Sequence, residues 1–262
     1  MEVNIDHTRW YDRIWAAFIF FTRLPFWRLY QPPRESYDSV VEYWPLVGWL
    51  TGGVTGAVLY FGCNLFSYEV TILLAITVRM LLTGALHEDG LADFFDGFGG
   101  GGKNRDRILA IMKDSHIGTY GVLALVVYVA LFFFTLYSMT PLYAAITMAA
   151  LDPYAKMLAG EIVMMMPYAR KEEEAKNKTV YRRMDTRAGI FLGLQGLLPF
   201  ALYCWYLRDD IDWQMLVVFP CLTMYVLYRL VWSRLRGYTG DCCGAIVLLV
   251  ELAALLTASY YL

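Results

Sequence analysis

Seven apolar runs, at 44–66, 68–86, 120–138, 142–166, 188–207, 213–232 and 243–262, limit what this chain can fold into. Each comes close to or exceeds the roughly 20 residues a helix needs to cross about 30 Å of hydrocarbon. Core helices of a soluble protein are seldom so long or so many, and a chain that is 58% hydrophobic has the bilayer as its natural solvent. The runs predict an all-α integral membrane protein, a single polytopic domain over 1–262 with about seven transmembrane helices. The shorter apolar stretch Ile14 to Phe21 follows Arg9 and Arg13 and lacks a small-residue cleavage site, which predicts a short interfacial or re-entrant helix instead of a leader.

Basic residues orient the runs. Residues 1–43 hold five, 87–119 four, 167–187 seven and 233–242 two, whereas the opposite connections hold only Arg208. The positive-inside rule then places the N-terminus and the long connections in the cytoplasm and the C-terminus outside. Arg79, Lys156, Glu161, Arg229 and Glu251 fall inside the apolar runs, where a charge is costly unless it is paired or faces a wet cavity. Five cysteines have neither a CxxC pair nor a histidine at metal-ligand spacing and read as small apolar residues. Gly48, Gly52 and Gly56, and likewise Gly189 and Gly193, stand four apart, a spacing that lets helices approach closely.

The connection over 87–119 carries the chemistry. Asp89, Asp93 and Asp96 are spaced by four and then three residues, so a helix there aligns them on one face. A solvated acidic helix end would carry interspersed Lys or Arg, but here Leu91, Ala92, Phe94 and Phe95 fill the gaps. Clustered carboxylates are the hard oxygen ligands that Mg2+ takes, with further positions left to water and phosphate. Gly99-Gly100-Gly101-Gly102 runs into Lys103, Arg105 and Arg107, either a phosphate cradle or a flexible loop with positive-inside charges. Met112 to Gly121 holds Lys113, Asp114, Ser115 and His116, open between helix capping and substrate binding. Asp241, after Tyr238-Thr239-Gly240, is either a cap or a fourth acidic group at the same site.

With these residues in view, the chain resembles the adenosylcobinamide-GDP ribazoletransferase (cobalamin-5'-phosphate synthase) family over nearly its whole length. The resemblance rests on Phe21-Thr22-Arg23-Leu24-Pro25, Trp44-Pro45-Leu46-Val47-Gly48, Thr83 to Asp93 with Asp96-Gly97, Ile111 to Gly121, and Thr239-Gly240-Asp241 with Gly244-Ala245. The chain departs from the family pattern where Glu88 replaces leucine, His116 arginine, Lys156 arginine, Arg236 the first of two glycines, and Leu248 a frequent glutamate. The resemblance implies a Mg2+-dependent phosphoryl-transfer enzyme of the bacterial inner membrane. It would join adenosylcobinamide-GDP to alpha-ribazole or its 5'-phosphate and release GMP, with no nucleic acid involved and a homo-oligomer left open. In that setting Asp89, Asp93 and Asp96, with Glu88 as an added ligand, are the metal candidates. Asp96, Asp114 and His87 are candidates for the catalytic base, and Lys103, Arg105, Lys113, His116, Asp241 and Lys156 for substrate or phosphate contacts. The Asp-Gly-x-x-Ala-Arg block of CDP-alcohol phosphotransferases is absent, and so are the duplicated halves common in transporters.

Overall fold

The computed structural model describes residues 9–170, 181 and 184–262, and within them the chain forms helices and no named strand. The seven apolar runs become α2 (Trp44–Gly62), α3 (Tyr68–Thr83), α6 (Thr119–Tyr137), α7 (Pro141–Gly160), α9 (Thr186–Tyr206), α10 (Trp213–Leu235) and α11 (Gly240–Tyr261). The N-terminal helix α1 (Trp10–Phe21) starts earlier than its apolar stretch. The fourth run does not continue to 166, because α7 gives way at Glu161 to the single turn α8 (Ile162–Met165). The connection 87–119 is itself largely helical, as α4 (Leu86–Gly100) and α5 (Arg105–Lys113).

Among the described residues, α6, α9, α10 and α11 are long and apolar enough to cross a membrane, and α3 with α4 qualifies as one broken or re-entrant span bent by 89°. α2 and α7 fall short of that mark for a physical reason. α7 is wrapped by α2, α9 and α11 and is buried along nearly all of its length from Ala144 onward. It meets protein instead of lipid, so its surface need not be uniformly apolar. The glycine face of α2 makes the closest contact: a Cβ on Gly52 would stand 2.6 Å from the Met148 carbonyl oxygen, and one on Gly56 2.5 Å from that of Ala145. The matching spacing in α9 has no such role, since a Cβ on Gly193 meets nothing and one on Gly189 only the tip of Met164.

Two buried ion pairs lie inside this bundle. Arg79 of α3 bonds Glu251 of α11, and Lys156 bonds Asp152 one turn back on α7, with Thr51 of α2 donating to Asp152 at 2.5 Å. Asp152, which no motif marks, is the partner of Lys156, and Lys156, fully buried beside it, is not at a phosphate-binding surface.

Among the described residues, two that are not glycine adopt left-handed backbone, Ala85 (φ 54°) and Arg236 (φ 55°). Glycine would adopt this conformation without strain at position 236. Arg236 is exposed, and its guanidinium rests only against the Trp232 ring, 5.6 Å from its centroid. Relieving a left-handed Cβ clash is worth roughly 1–2 kcal/mol, less the extra entropy glycine gains when unfolded. Arg236→Gly is therefore expected to stabilise the protein by about 1 kcal/mol, measured as a rise in the midpoint of thermal unfolding in detergent.

Candidate active site

The bend between α3 and α4 places the site. Gly84 and Ala85 are both left-handed, and the Arg23 amide donates to Leu82 O at 2.7 Å, binding the segment after α1 to the outside of the turn. α4 then runs across the first turns of α11 with almost no side chain between them. A Cβ on Gly90 would lie 2.9 Å from Asp241 O, and one on Gly244 3.3 Å from the Cα of His87. This crossing brings Asp89 and Asp241 to the wall of one cavity of about 140 Å³, with His87, Trp44, Phe21 and Arg170. The rings of Phe21, Trp44 and His87 form a stack: Phe21 and Trp44 are 5.0 Å apart at 12°, Trp44 and His87 5.7 Å apart at 21°. Trp44 Nε1 and His87 Nε2 are both buried, with no hydrogen-bond partner among the described residues.

The three aspartates divide. Asp89 is exposed at the cavity and Asp93 is half-buried one turn further along α4. Asp96 does not line the cavity; its oxygens accept from the backbone N–H groups of Gly118, at 2.7 Å, and Gly121, at 2.9 Å. It caps the start of α6, where the helix dipole favours an anion. Glu88 is buried away from the cavity, with Oε2 unpartnered. Among the described residues no three His, Cys, Asp or Glu side chains come together closely enough to grip an ion unaided. Asp89 and Asp241 nevertheless fit Mg2+ by donor chemistry, since this ion commonly takes one or two carboxylates and fills its octahedron with water and substrate phosphate.

The expected phosphate contacts also separate. Arg105 ties α5 down, donating from Nε to Leu235 O at 2.9 Å and from its guanidinium to Ala169 O. With Lys113 it lines a second cavity of about 600 Å³ beside α5. Lys103 is exposed in the turn before α5. The glycine run is not a free loop, because α4 continues through Gly100 and Gly99 lies against the Tyr120 ring. Asp114 and His116 are exposed and bonded to each other, Oδ1 to Nδ1 at 2.7 Å. The hydrogen bond from His116 holds the Asp114 carboxyl below the usual carboxylate range, and the same bond lifts the imidazole above 6.5.

Arg170 was not anticipated. It reaches the cavity because Ala169 N donates to Tyr238 O at 2.8 Å and Tyr238 N to Pro167 O at 2.9 Å, a short parallel bridge that lays 167–170 beside the start of α11. No local spacing signals such a long-range pairing. The rest of the basic connection, 171–180 with 182 and 183, lies outside the described residues.

The family model for cobalamin-5-phosphate synthase matches residues 13–259. The chain belongs to that family. Among its curated relatives, the protein named adenosylcobinamide-GDP ribazoletransferase from Leptospira interrogans is 30% identical, covering 90% of this chain and 90% of its own. Its namesake from Ralstonia pickettii is 32% identical over 97% and 96%, and that from Pseudoalteromonas atlantica 35% over 89% and 86%. No solved structure matches the chain. The cobalamin-5-phosphate synthase match takes in every wall of the cavity, from Phe20 to Gly244.

Two outcomes follow from this geometry. Asp96→Ala removes the acceptor for two α6 amides and should cost roughly 1–2 kcal/mol of stability, read from denaturant or thermal unfolding. The His116 ring should titrate above 6.5 by NMR. Its bond to Asp114 is complete below that value and lost as pH rises through the lifted pKa, so Asp114→Asn should return the titration towards 6.5.

Proposed function

We propose that the chain joins adenosylcobinamide-GDP to alpha-ribazole or its 5'-phosphate, forming adenosylcobalamin or its 5'-phosphate and releasing GMP, at the cavity between α4 and α11. The observation that carries this reading is the pairing of Asp89 and Asp241 on one wall with Arg170 beside them, in a chain of the cobalamin-5-phosphate synthase family. Phosphoryl transfer from a diphosphate asks for positioning and charge neutralisation more than for covalent chemistry. Two carboxylates and a guanidinium in one small cavity suit that demand.

The reaction breaks a P–O bond of the diphosphate and forms one to a ribose oxygen. The acceptor hydroxyl attacks the phosphorus that carries the corrinoid, the bridging oxygen leaves with GMP, and the hydroxyl proton must go to a base. Of the three base candidates, His87 is the one that lines the cavity; Asp96 is held by two amides and Asp114 by His116. Asp89 and Asp241, with Asp93 close by on α4, are the residues that would hold Mg2+. When bound, that ion neutralises charge on the phosphate oxygens and on the leaving group. The stacked rings and buried walls limit water at the reacting phosphorus. Lys103, Arg105, Lys113 and His116 lie on or next to α5, where they would meet outlying phosphate charge.

The same reading takes α2, α3, α6, α7, α9, α10 and α11 as seven crossings of the inner membrane. The N-terminus and the site then face the cytoplasm and the C-terminus the outside, as the distribution of basic residues supports.

Asp89→Asn keeps the size of the side chain and removes its charge. Purified, inserted protein carrying it should lose GMP release by a factor of about 100 or more, measured with both substrates and Mg2+. Near-normal turnover in this variant would overturn the assignment of Asp89, and release of GMP at full rate in excess chelator would overturn the metal.

A further inference from the structure

Arg170 lines two cavities of opposite character. On one side are Asp89 and Asp241, in the cavity of about 140 Å³. On the other, the described residues lining the α5 groove of about 600 Å³ include Arg105, Lys113 and Arg170, with Asp106 the one acid among them. Half-buried, Arg170 is anchored between them by donation from Nη2 to Leu109 O at 3.1 Å. Arg105 is equally fixed, through Leu235 O and Ala169 O, whereas the Lys113 side chain is exposed. Size separates the two spaces as well. A cavity near 150 Å³ admits about one aromatic ring, so the smaller one cannot hold a corrinoid and a nucleotide together. The groove has room for a nucleotide.

We propose that the α5 groove is the subsite of the departing nucleoside monophosphate, and that Arg170 grips the diphosphate at the bond that breaks. The proposal rests on the phosphoryl-transfer reading above and extends it. One phosphate of the substrate lies on the carboxylate side, where the acceptor oxygen attacks. The other lies on the basic side, against Arg170 and Lys113. When the bridging P–O bond breaks, its electron pair stays on the nucleotide phosphate, and the dianion forms facing cations instead of carboxylates. A fixed guanidinium donates two parallel N–H bonds to phosphate, which a lysine ammonium cannot reproduce. The basic side holds the product until it departs through the groove.

GMP binding to the purified full-length protein in detergent, measured directly by equilibrium dialysis, tests this without turnover. Arg170→Ala should weaken GMP binding tenfold or more, Arg170→Lys by an intermediate factor, and Lys113→Ala several-fold. Raising the salt concentration should weaken the wild type while affecting Arg170→Ala less. Alpha-ribazole binding, measured the same way, should stay within about twofold of wild type in Lys113→Ala. Unchanged GMP affinity in Lys113→Ala together with either Arg170 variant overturns the proposal. Should Arg170→Ala fail to fold, Lys113→Ala, on an exposed side chain, and the salt dependence decide it. Arg170-dependent GMP binding in a protein that releases no GMP from the corrinoid substrate would sink the catalytic reading and leave the subsite standing. Turnover with GMP affinity indifferent to both residues would do the reverse.

Discussion

The direction of α4 depends on two consecutive left-handed residues. Gly84 tolerates that conformation and Ala85 does so at some cost, and together they turn the chain through 89° as it leaves α3. Without that corner the acidic helix would continue along the α3 axis and never meet α11. With it, Gly90 and Gly244 let the two backbones touch, and acids from distant parts of the chain come to share a wall. The meeting of these two carboxylates is thus decided by backbone geometry before any side chain is considered.

Below the cavity, the bundle is held by charges that a lipid-facing surface could not carry. Burying an ion pair costs desolvation that its mutual attraction only roughly offsets, whereas leaving one member alone costs several kcal/mol more. Arg79 with Glu251 and Lys156 with Asp152 therefore act as registers: α3 fits α11, and α7 fits α2, in one alignment only. Arg79 also lies over the Phe132 ring of α6, 5.2 Å from its centroid, so a third helix is held to the same point. Glu88 and Glu251 each keep one buried oxygen without a partner, a place for internal water.

Much of this was legible in the sequence. The apolar runs marked every long helix, because lipid and protein alike demand continuous apolar length. What they could not say is which helices meet lipid. α7 has the length of a span but sits inside the bundle, and its Asp152 escaped notice because it lies between Leu151 and Pro153 in an apolar run. In the site, the spacing of Asp89, Asp93 and Asp96 suits the helix α4 that carries them, but spacing on one helix says nothing of what that face meets. Asp96 meets the amides of α6, and its carboxylate is used there. Asp241 was weighed as a cap or an acid at the site, and the helix is in fact capped by Thr239, whose hydroxyl accepts from the Cys242 amide at 3.2 Å. That leaves Asp241 in the cavity wall. Arg170 could be found only from the fold, since the bridge between Tyr168 and Tyr238 that carries it joins residues far apart in the chain.

The ring stack has an implication for biosynthesis. Phe21 at the end of α1 forms one layer, and the opposite wall comes from Asp241 and Gly244 in α11. A pocket whose walls are drawn from such remote stretches cannot be assembled on a partly translated chain. The early helices must wait in the bilayer until the last one arrives. Until then, the wall that carries Asp241 is missing, and the nascent protein has only the part of the centre that Phe21, Trp44, His87 and Asp89 line.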